Sequence, residues 1–272
     1  MRTSQNIIKY LAIALAFFII FSLFSGIINL SSKVIGTIED KKEENKISKD
    51  YILLSDNVTY INQLKIEIDN NNLEIKEGNE FKVYTNDSTV RYSYDNNNVE
   101  VISNFHWGIA NLKRGKIIVY IPNDFDIDYI DLNFGASKVK IERLSSNRLD
   151  LDLGVGTTTI DDLNINSSGK ITSGAGNFKI NNANLANIDL KLGIGNTTIN
   201  GNILGDSTIS TGVGKLTLNL NKNKDNYKFD FNDAIGNIKF NGEYINEIRL
   251  NNNGSNHISI NGGIGNIDIN TK

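Results

Sequence analysis

The chain has 272 residues, of which 39% are hydrophobic, with one proline, no cysteine and a formal net charge of −3. Without cysteine there can be no disulfides, and a structural zinc site is not expected. The weakly acidic balance gives no electrostatic attraction to nucleic acid, so a nucleic-acid partner is not expected.

An apolar segment near the N-terminus is the first predicted element. Residues 1–9 form a short tail with Arg2 and Lys9, and a predominantly apolar run without charged residues follows at 10–28. A run of this length just crosses a hydrocarbon core of about 30 Å. We therefore predict a cytoplasmic tail at 1–9 and one transmembrane helix at 10–30. A cleaved signal peptide is the main alternative, but the run is long for one and no Ala-x-Ala site follows.

The orientation of this segment follows from two opposing signals. Arg2 and Lys9 favour a cytoplasmic N-terminus, whereas the lysines that follow the apolar run argue the other way. Long domains translocate largely regardless of loop charge, so we predict that the rest of the chain lies outside the cell. A charged linker is predicted at 31–50.

The region 51–126 is predicted to hold divergent, aromatic-rich first coils and a cap. Leu64, Ile66 and Ile68 alternate with polar residues, as in the later repeats, with Asn in place of Gly. The aromatic residues are interpreted as cap and core, because the first coil of a repeat stack must hide its edge. A sugar- or peptide-binding shelf is the alternative. These aromatics are Phe81, Tyr84, Tyr92, Tyr94, Phe105 and Trp107.

Regular repeats fill 127–272. The stretch from Leu149 to Ile160 alternates apolar and polar residues, passes through a Gly-x-Gly step, and alternates again. The same unit recurs every 19 or 20 residues up to Gly212, which is typical of a solenoid. The first residues of the steps are Gly135, Gly154, Gly174, Gly193, Gly212, Ala234 and Gly263.

Fixed columns of apolar residues accompany each step. The column three residues before the step is apolar in all seven units, as are the columns one and six residues after it. Counted from the first residue of the step, inward positions lie an odd number of residues before it and an even number after it. Because strand side chains alternate with a period of two, the register must slip by one residue at the step. Glycine at the slip supplies a positive φ or a close backbone approach. The residue before the step alternates between leucine and a hydroxyl residue, so one physical coil is either one unit or two.

No catalytic, cofactor-binding or metal-binding residues are predicted. The two histidines, His106 and His257, lie far apart, and no P-loop, His-Glu-x-x-His or Gly-x-Ser-x-Gly motif is present. Two outward columns carry charge, and stacked carboxylates could bind Ca²⁺ or act as an acid and a base. A solvated outer face is the simpler interpretation. The columns are Asp131, Asp150, Asp189 and Asp230, and Lys140, Lys179 and Lys239.

The strand Ile117–Pro122, the unit that begins at Ile130 and the Gly-x-Gly series together resemble a bacterial domain family. These are the "putative adhesin" β-solenoid domains, related to auto-transporter adhesin heads and toast-rack domains. The resemblance covers about 61–268. It implies a surface β-solenoid, often behind one membrane helix and sometimes encoded with envelope-stress signalling proteins, and it implies no catalytic residues.

We therefore predict an all-β protein, a β-solenoid behind one transmembrane helix, displayed outside the cell membrane. It would be a non-catalytic adhesion or interaction module, with envelope-stress sensing as a narrower role and an unknown protein or envelope-polymer partner. A self-assembling structural solenoid is the first alternative, because solenoids with weak caps can stack end to end. A polysaccharide-acting enzyme is the second.

Overall fold

The computed structural model describes residues 50–55, 57–103, 115–232, 235–245 and 253–272. The predicted tail and membrane helix, and the linker up to residue 49, lie outside the described residues. Within the described ranges, no helix is both long enough and apolar enough to cross a membrane. That part of the chain is almost entirely β-structure, as predicted.

Sixteen strands join in one continuous sheet across the described residues. A short 3₁₀ helix at Lys224–Asn226 interrupts them. The strands are β1 Ile52–Leu53, β2 Gln63–Ile68, β3 Asn72–Gly78, β4 Lys82–Thr85, β5 Arg91–Asp95, β6 Asn98–Ser103, β7 Lys116–Pro122, β8 Ile127–Ala186, β9 Ile188–Leu204, β10 Asp206–Ser210, β11 Val213–Leu220, β12 Tyr227–Asn232, β13 Ile238–Phe240, β14 Glu243–Tyr244, β15 Asn256–Asn261 and β16 Ile264–Asn270.

One repeat unit makes one coil. Leu190 in β9 pairs in parallel with Ile171 in β8, and Ile209 in β10 pairs with Leu190. Each of these partners is one unit away along the chain, so the two-unit coil is wrong. The strand β8 is long because it runs through several coils without a break in pairing. Neighbouring coils therefore stack at the usual strand spacing of about 4.8 Å.

The inward columns form one core. Leu151 before the step and Ile160 after it are both fully buried, and a third run in the same coil buries Leu163 and Ile165. All four belong to a single hydrophobic cluster that extends along the stack. Each fully buried leucine or isoleucine contributes roughly 1.5–3 kcal/mol as an upper bound. A lone coil would leave both of its strand edges unpaired, whereas a stack pairs them and buries the core.

The register slip at each step occurs as predicted. The second glycine of the step has a φ between +139° and +148° in every described unit that has one. Close packing adds a second constraint, because a Cβ on Gly195 would collide with the carbonyl oxygen of Gly176 in the adjacent coil. Glycine is therefore required both by its own backbone angle and by the coil beneath it.

The coils at both ends are stacked out of chain order. The first coil, β2–β3, lies between the β6–β7 coil and the start of β8. The last coil, β15–β16, lies between β10–β11 and β12–β13. The last coil of the described chain, which carries Ile264, Ile267 and Ile269, is therefore not the last coil of the stack. Periodicity reports which side chains face inward, but the order of stacking depends on how the chain returns after β14.

Antiparallel strands cover three of the four described outer strands of these coils, β6, β7 and β13. At the N-terminal end, β5 pairs with β6, while β4 pairs with β7 on one side and β1 on the other. At the other end, β14 pairs with β13. Phe81 is buried, and Tyr92 and Tyr94 pack against the core, so these aromatics form cap and core as predicted. Phe105 and Trp107 lie outside the described residues.

Gly195→Ala is expected to destabilise the protein by about 2–6 kcal/mol, because it combines backbone strain with a steric clash against the next coil. Gly242→Ala is a matched control. Gly242 also has a positive φ, +88°, but its Cβ would meet nothing within 4 Å. The control should cost only about 1–2 kcal/mol. Urea unfolding of both variants measures the difference, and equal losses would show that stacking at the step does not require glycine.

Candidate interaction surface

The outward aspartates do not form a carboxylate stack. Lys170 lies between Asp150 and Asp189, since it pairs in register with Asp189 and its Nζ lies 3.9 Å from Asp150 Oδ2. The adjacent pair Asp131 and Asp150 is the exception. Burial, followed by the charge of Asp150, raises the pKa of Asp131. This pair lies on the outer side of a strand run, so the simpler interpretation, a solvated face of alternating charge, fits the geometry.

The outward lysines are also separated along the stack. Lys140 pairs in register with Glu74 and Lys179 with Thr198. Lys239 pairs in register with Asp268, and its Nζ lies 4.9 Å from the centre of the Tyr244 ring. Because unlike neighbours alternate, neither column concentrates one sign of charge. Within the part of the chain that the structure describes, no group of three or more His, Asp or Glu side chains is arranged to hold a metal ion.

Asparagine side chains form ladders between coils. Asn270 donates to Asn219 Oδ1 at 2.8 Å, and Asn219 donates to Asn200 Oδ1 at 2.6 Å. Asn200 in turn donates to the carbonyl oxygen of Ile180 at 3.0 Å. The ladder links four coils at one corner, which explains part of the high asparagine content. These amides satisfy one another and are structural.

His257 connects three neighbouring strands near the C-terminal end of the stack. Its Nε2 lies 2.6 Å from Asp230 Oδ2 in β12, and its Nδ1 lies 3.6 Å from Asp206 Oδ1 in β10. Lys228 Nζ lies 3.4 Å from the same oxygen of Asp230. The hydrogen bond with His257 lowers the pKa of Asp230, although burial acts in the opposite direction. The cluster therefore helps to hold the outer coil on the inserted last coil.

The apolar column one residue after the step lies on the outside of the molecule. We call it the apolar ridge, and its members, in stacking order, are Ala136, Val155, Ala175, Ile194, Val213, Ile264 and Ile235. Its exposure is greatest near the C-terminal end, where Ile264 is 57% and Ile235 is 68% exposed. Seven rungs at the strand spacing give a length of about 29 Å.

The ridge follows from the same register slip that requires glycine. The inward position before the step, such as Leu153, and the inward position after it, such as Thr158, are separated by four residues that face away from the core. The backbone therefore turns a corner at the step, and the ridge residue is carried on that corner between two glycines. A shallow depression that is open to solvent lies along the corner beside Ile194, Val213 and Ile264.

The aliphatic ridge can bind but has no group for acid–base or nucleophilic chemistry. The sequence pattern shows this column as apolar but does not single it out as a surface. The alternation of the repeat nevertheless predicts that it faces outward. Inward positions lie an even number of residues after the first residue of the step, and the ridge residue lies one residue after it. An apolar residue at this outward position in seven successive coils is the observation that points to binding.

A family model described as Toastrack DUF4097 matches residues 61–244, more than half of the chain. A comparison with curated proteins finds no match. The match contains most of the described coils and all ridge residues except Ile264.

Three solved structures match most of this chain. The first, a "putative adhesin" from Bacteroides fragilis, is 13% identical, with 83% of this chain and 98% of that chain covered and a TM-score of 0.34. The second, a "putative cell adhesion protein" from Clostridium sporogenes, is 15% identical, with 82% and 99% covered and a TM-score of 0.29. The third, a "putative lipid binding protein" from Parabacteroides distasonis, is 9% identical, with 82% and 97% covered and a TM-score of 0.39.

The contribution of Asp230 should disappear in acid. A carboxylate whose pKa is lowered on folding stabilises the fold above its ordinary value, here 3.8, and that contribution is lost as the pH falls through the folded-state pKa. Asp230→Asn should therefore be less stable than the parent at neutral pH, with the gap narrowing as the pH falls below 3.8. Urea midpoints measured across this range test the expectation, and a gap that does not change with pH would contradict it.

Substitution on the ridge should leave the fold almost unchanged. Val213→Ser or Ile264→Ser should alter the free energy of unfolding by about 1 kcal/mol or less, because both side chains already face solvent. The matched control is Ile260→Ser, which introduces a hydroxyl at a buried position of the same coil as Ile264 and should cost about 3 kcal/mol or more. Thermal unfolding compares the three, and a large loss at Val213 would place the ridge inside.

Proposed function

Because the chain belongs to the Toastrack DUF4097 family, as its Gly-x-Gly repeats predicted, we propose that it is a membrane-anchored, extracytoplasmic, non-catalytic interaction module of the bacterial cell envelope. The repeat domain binds a partner, and the N-terminal segment holds it at the membrane. Sensing of envelope stress is the narrower role that the resemblance suggests.

The observation that carries the binding role is the apolar ridge. A soluble domain gains nothing in stability from an isoleucine that is 68% exposed, as Ile235 is. A regular row of such residues is typical of a surface that is covered in use. The neighbouring outward columns, in contrast, hold alternating charges and hydroxyl groups that are well hydrated.

The sequence supports the membrane attachment. The apolar run at 10–28 has the length of one membrane span, and Arg2 and Lys9 precede it. The stretch 29–49 that follows is polar and charged, as expected of a solvated spacer. Together these features favour export of the solenoid, since long domains translocate largely regardless of their charge.

End-to-end assembly receives less support from the described ends of the stack. Adding another coil in parallel needs a free strand edge. Antiparallel β1, β4 and β5 cover the N-terminal coil and β14 covers β13, so that among the described strands of the outer coils only β12 has no antiparallel cover. Antiparallel covers of this kind blunt edge-to-edge association. Binding through the side of the stack is therefore the better candidate.

Limited trypsin treatment of intact cells tests the export. With an epitope tag at each terminus, trypsin should cut at the linker lysines, among them Lys41, Lys42 and Lys46. The C-terminal tag should then be released from the cells while the N-terminal tag stays protected. Lysed cells, in which both tags are accessible, are the control. A C-terminal tag that survives in intact cells but not in lysed ones would refute the export of the solenoid.

A further inference from the structure

We propose that the apolar ridge rests on the surface of a lipid bilayer, with the long axis of the stack lying along the membrane. This inference rests on the proposed function, since it takes the chain to be held at a membrane. It names the partner of the ridge as lipid and goes beyond the unspecified binding role. The most exposed rungs, Val213, Ile264 and Ile235, enter the interface between headgroups and acyl chains.

The shape of the ridge favours a soft partner. It is a single row of aliphatic side chains on an outward corner, and glycine backbone flanks each rung on both sides in most coils. A protein partner would need a matching groove, whereas lipid packs around any row of apolar side chains. A strip about 29 Å long and about 10 Å wide covers roughly 300 Å². A stable protein interface needs about 800 Å² on each partner, so a second copy is not favoured.

The chain that precedes the described domain is long enough to allow this placement. Between the end of the apolar run at residue 28 and Asp50 lies the stretch 29–49. Fully extended, a linker of this length reaches about 70 Å, and as a flexible coil it spans about 25 Å. The flexible-coil span of about 25 Å is close to the ridge length of about 29 Å. Tethering at this range gives a weak surface contact a high effective concentration.

The charges near the ridge define the kind of membrane contact. Lys138, Lys191 and Lys215 flank the corner, and so does Asp152. Lys191 Nζ is paired with Asp189 Oδ2 at 3.3 Å, and Lys215 Nζ is paired with Asp268 Oδ2 at 2.7 Å. Among the described residues of the corner, no excess of positive charge remains to draw the domain to anionic headgroups. Apolar insertion therefore dominates, and contact should depend little on salt or on the fraction of anionic lipid.

A fluorescent label on the ridge tests the contact directly. The chain has no cysteine, so Val213→Cys and Ile264→Cys each provide a unique site for an environment-sensitive dye. The full-length protein is reconstituted at low density in phosphatidylcholine vesicles with and without phosphatidylglycerol. At both sites we expect emission shifted to shorter wavelength and quenching by nitroxide-labelled lipids, with little change between the two compositions. Ser168→Cys, an exposed polar position away from the step, is the matched control and should show neither effect.

Each other outcome overturns the proposal. Unshifted, unquenched emission at both ridge sites would mean that the ridge stays in water. A shifted emission that nitroxide lipids do not quench would mean that protein, such as a second copy, covers the ridge. Equal quenching at Ser168→Cys would mean that the contact is unspecific.

Flotation separates this inference from the proposed anchor. If the unlabelled full-length protein fails to float with the vesicles, the anchoring proposal fails. The labelled protein is then mixed with preformed vesicles of the same compositions. Quenching there would retain the lipid contact without the anchor, and its absence would reject both.

Discussion

The close approach of backbones at the Gly-x-Gly corner is the constraint on which the rest of the structure depends. At Gly195 and its equivalents, a Cβ atom would occupy the place of a carbonyl oxygen in the adjacent coil. The coils can approach to strand-pairing distance only if that atom is absent from coil after coil. The pairing in turn fixes the register, and the register aligns the inward leucines and isoleucines into one core. Hydrophobic burial supplies most of the stability, but the glycines decide where the burial can occur.

The same corner also creates the candidate functional surface. The register slip turns four consecutive positions away from the core, so one residue of every coil is presented to solvent whatever its polarity. Elsewhere on the outside, the chain fills such positions with charged and hydroxyl residues, as at Asp150 and Lys170, or with amide ladders such as Asn200–Asn219–Asn270. At the corner it carries alanine, valine and isoleucine instead. That contrast within one coil is why the ridge is interpreted as a binding surface and the charged columns are not.

The ends of the stack follow a different rule from its middle. In the middle, each coil adds to the one before it, and pairing follows the chain. At both ends the terminal coil of the described chain is inserted between two others, so it is paired on both sides, and a coil with antiparallel covers lies outside it. The side chains at the start of β15 reinforce the insertion: Asn256 accepts from Gly205 N and donates to the carbonyl oxygen of Asn226, and His257 contacts Asp206 and Asp230. Association through the side of the stack then becomes the natural mode of contact.

The sequence by itself determined the all-β class, the repeat period, the inward columns such as Leu151 and Ile160, and the need for glycine at the slip, because all of these follow from local backbone geometry and side-chain alternation. It also predicted the cap role of Phe81, Tyr92 and Tyr94 from the general need to cover an edge. Only the tertiary structure decided that one unit makes one coil, that Lys170 separates Asp150 from Asp189, and that β15–β16 lies inside the stack. These are relations between residues far apart in the chain, and a periodic sequence is compatible with several stacking orders. The ridge depends on both. The alternation of inward and outward positions in the sequence predicts that its residues face outward, but its continuity across seven coils depends on the order in which those coils are stacked.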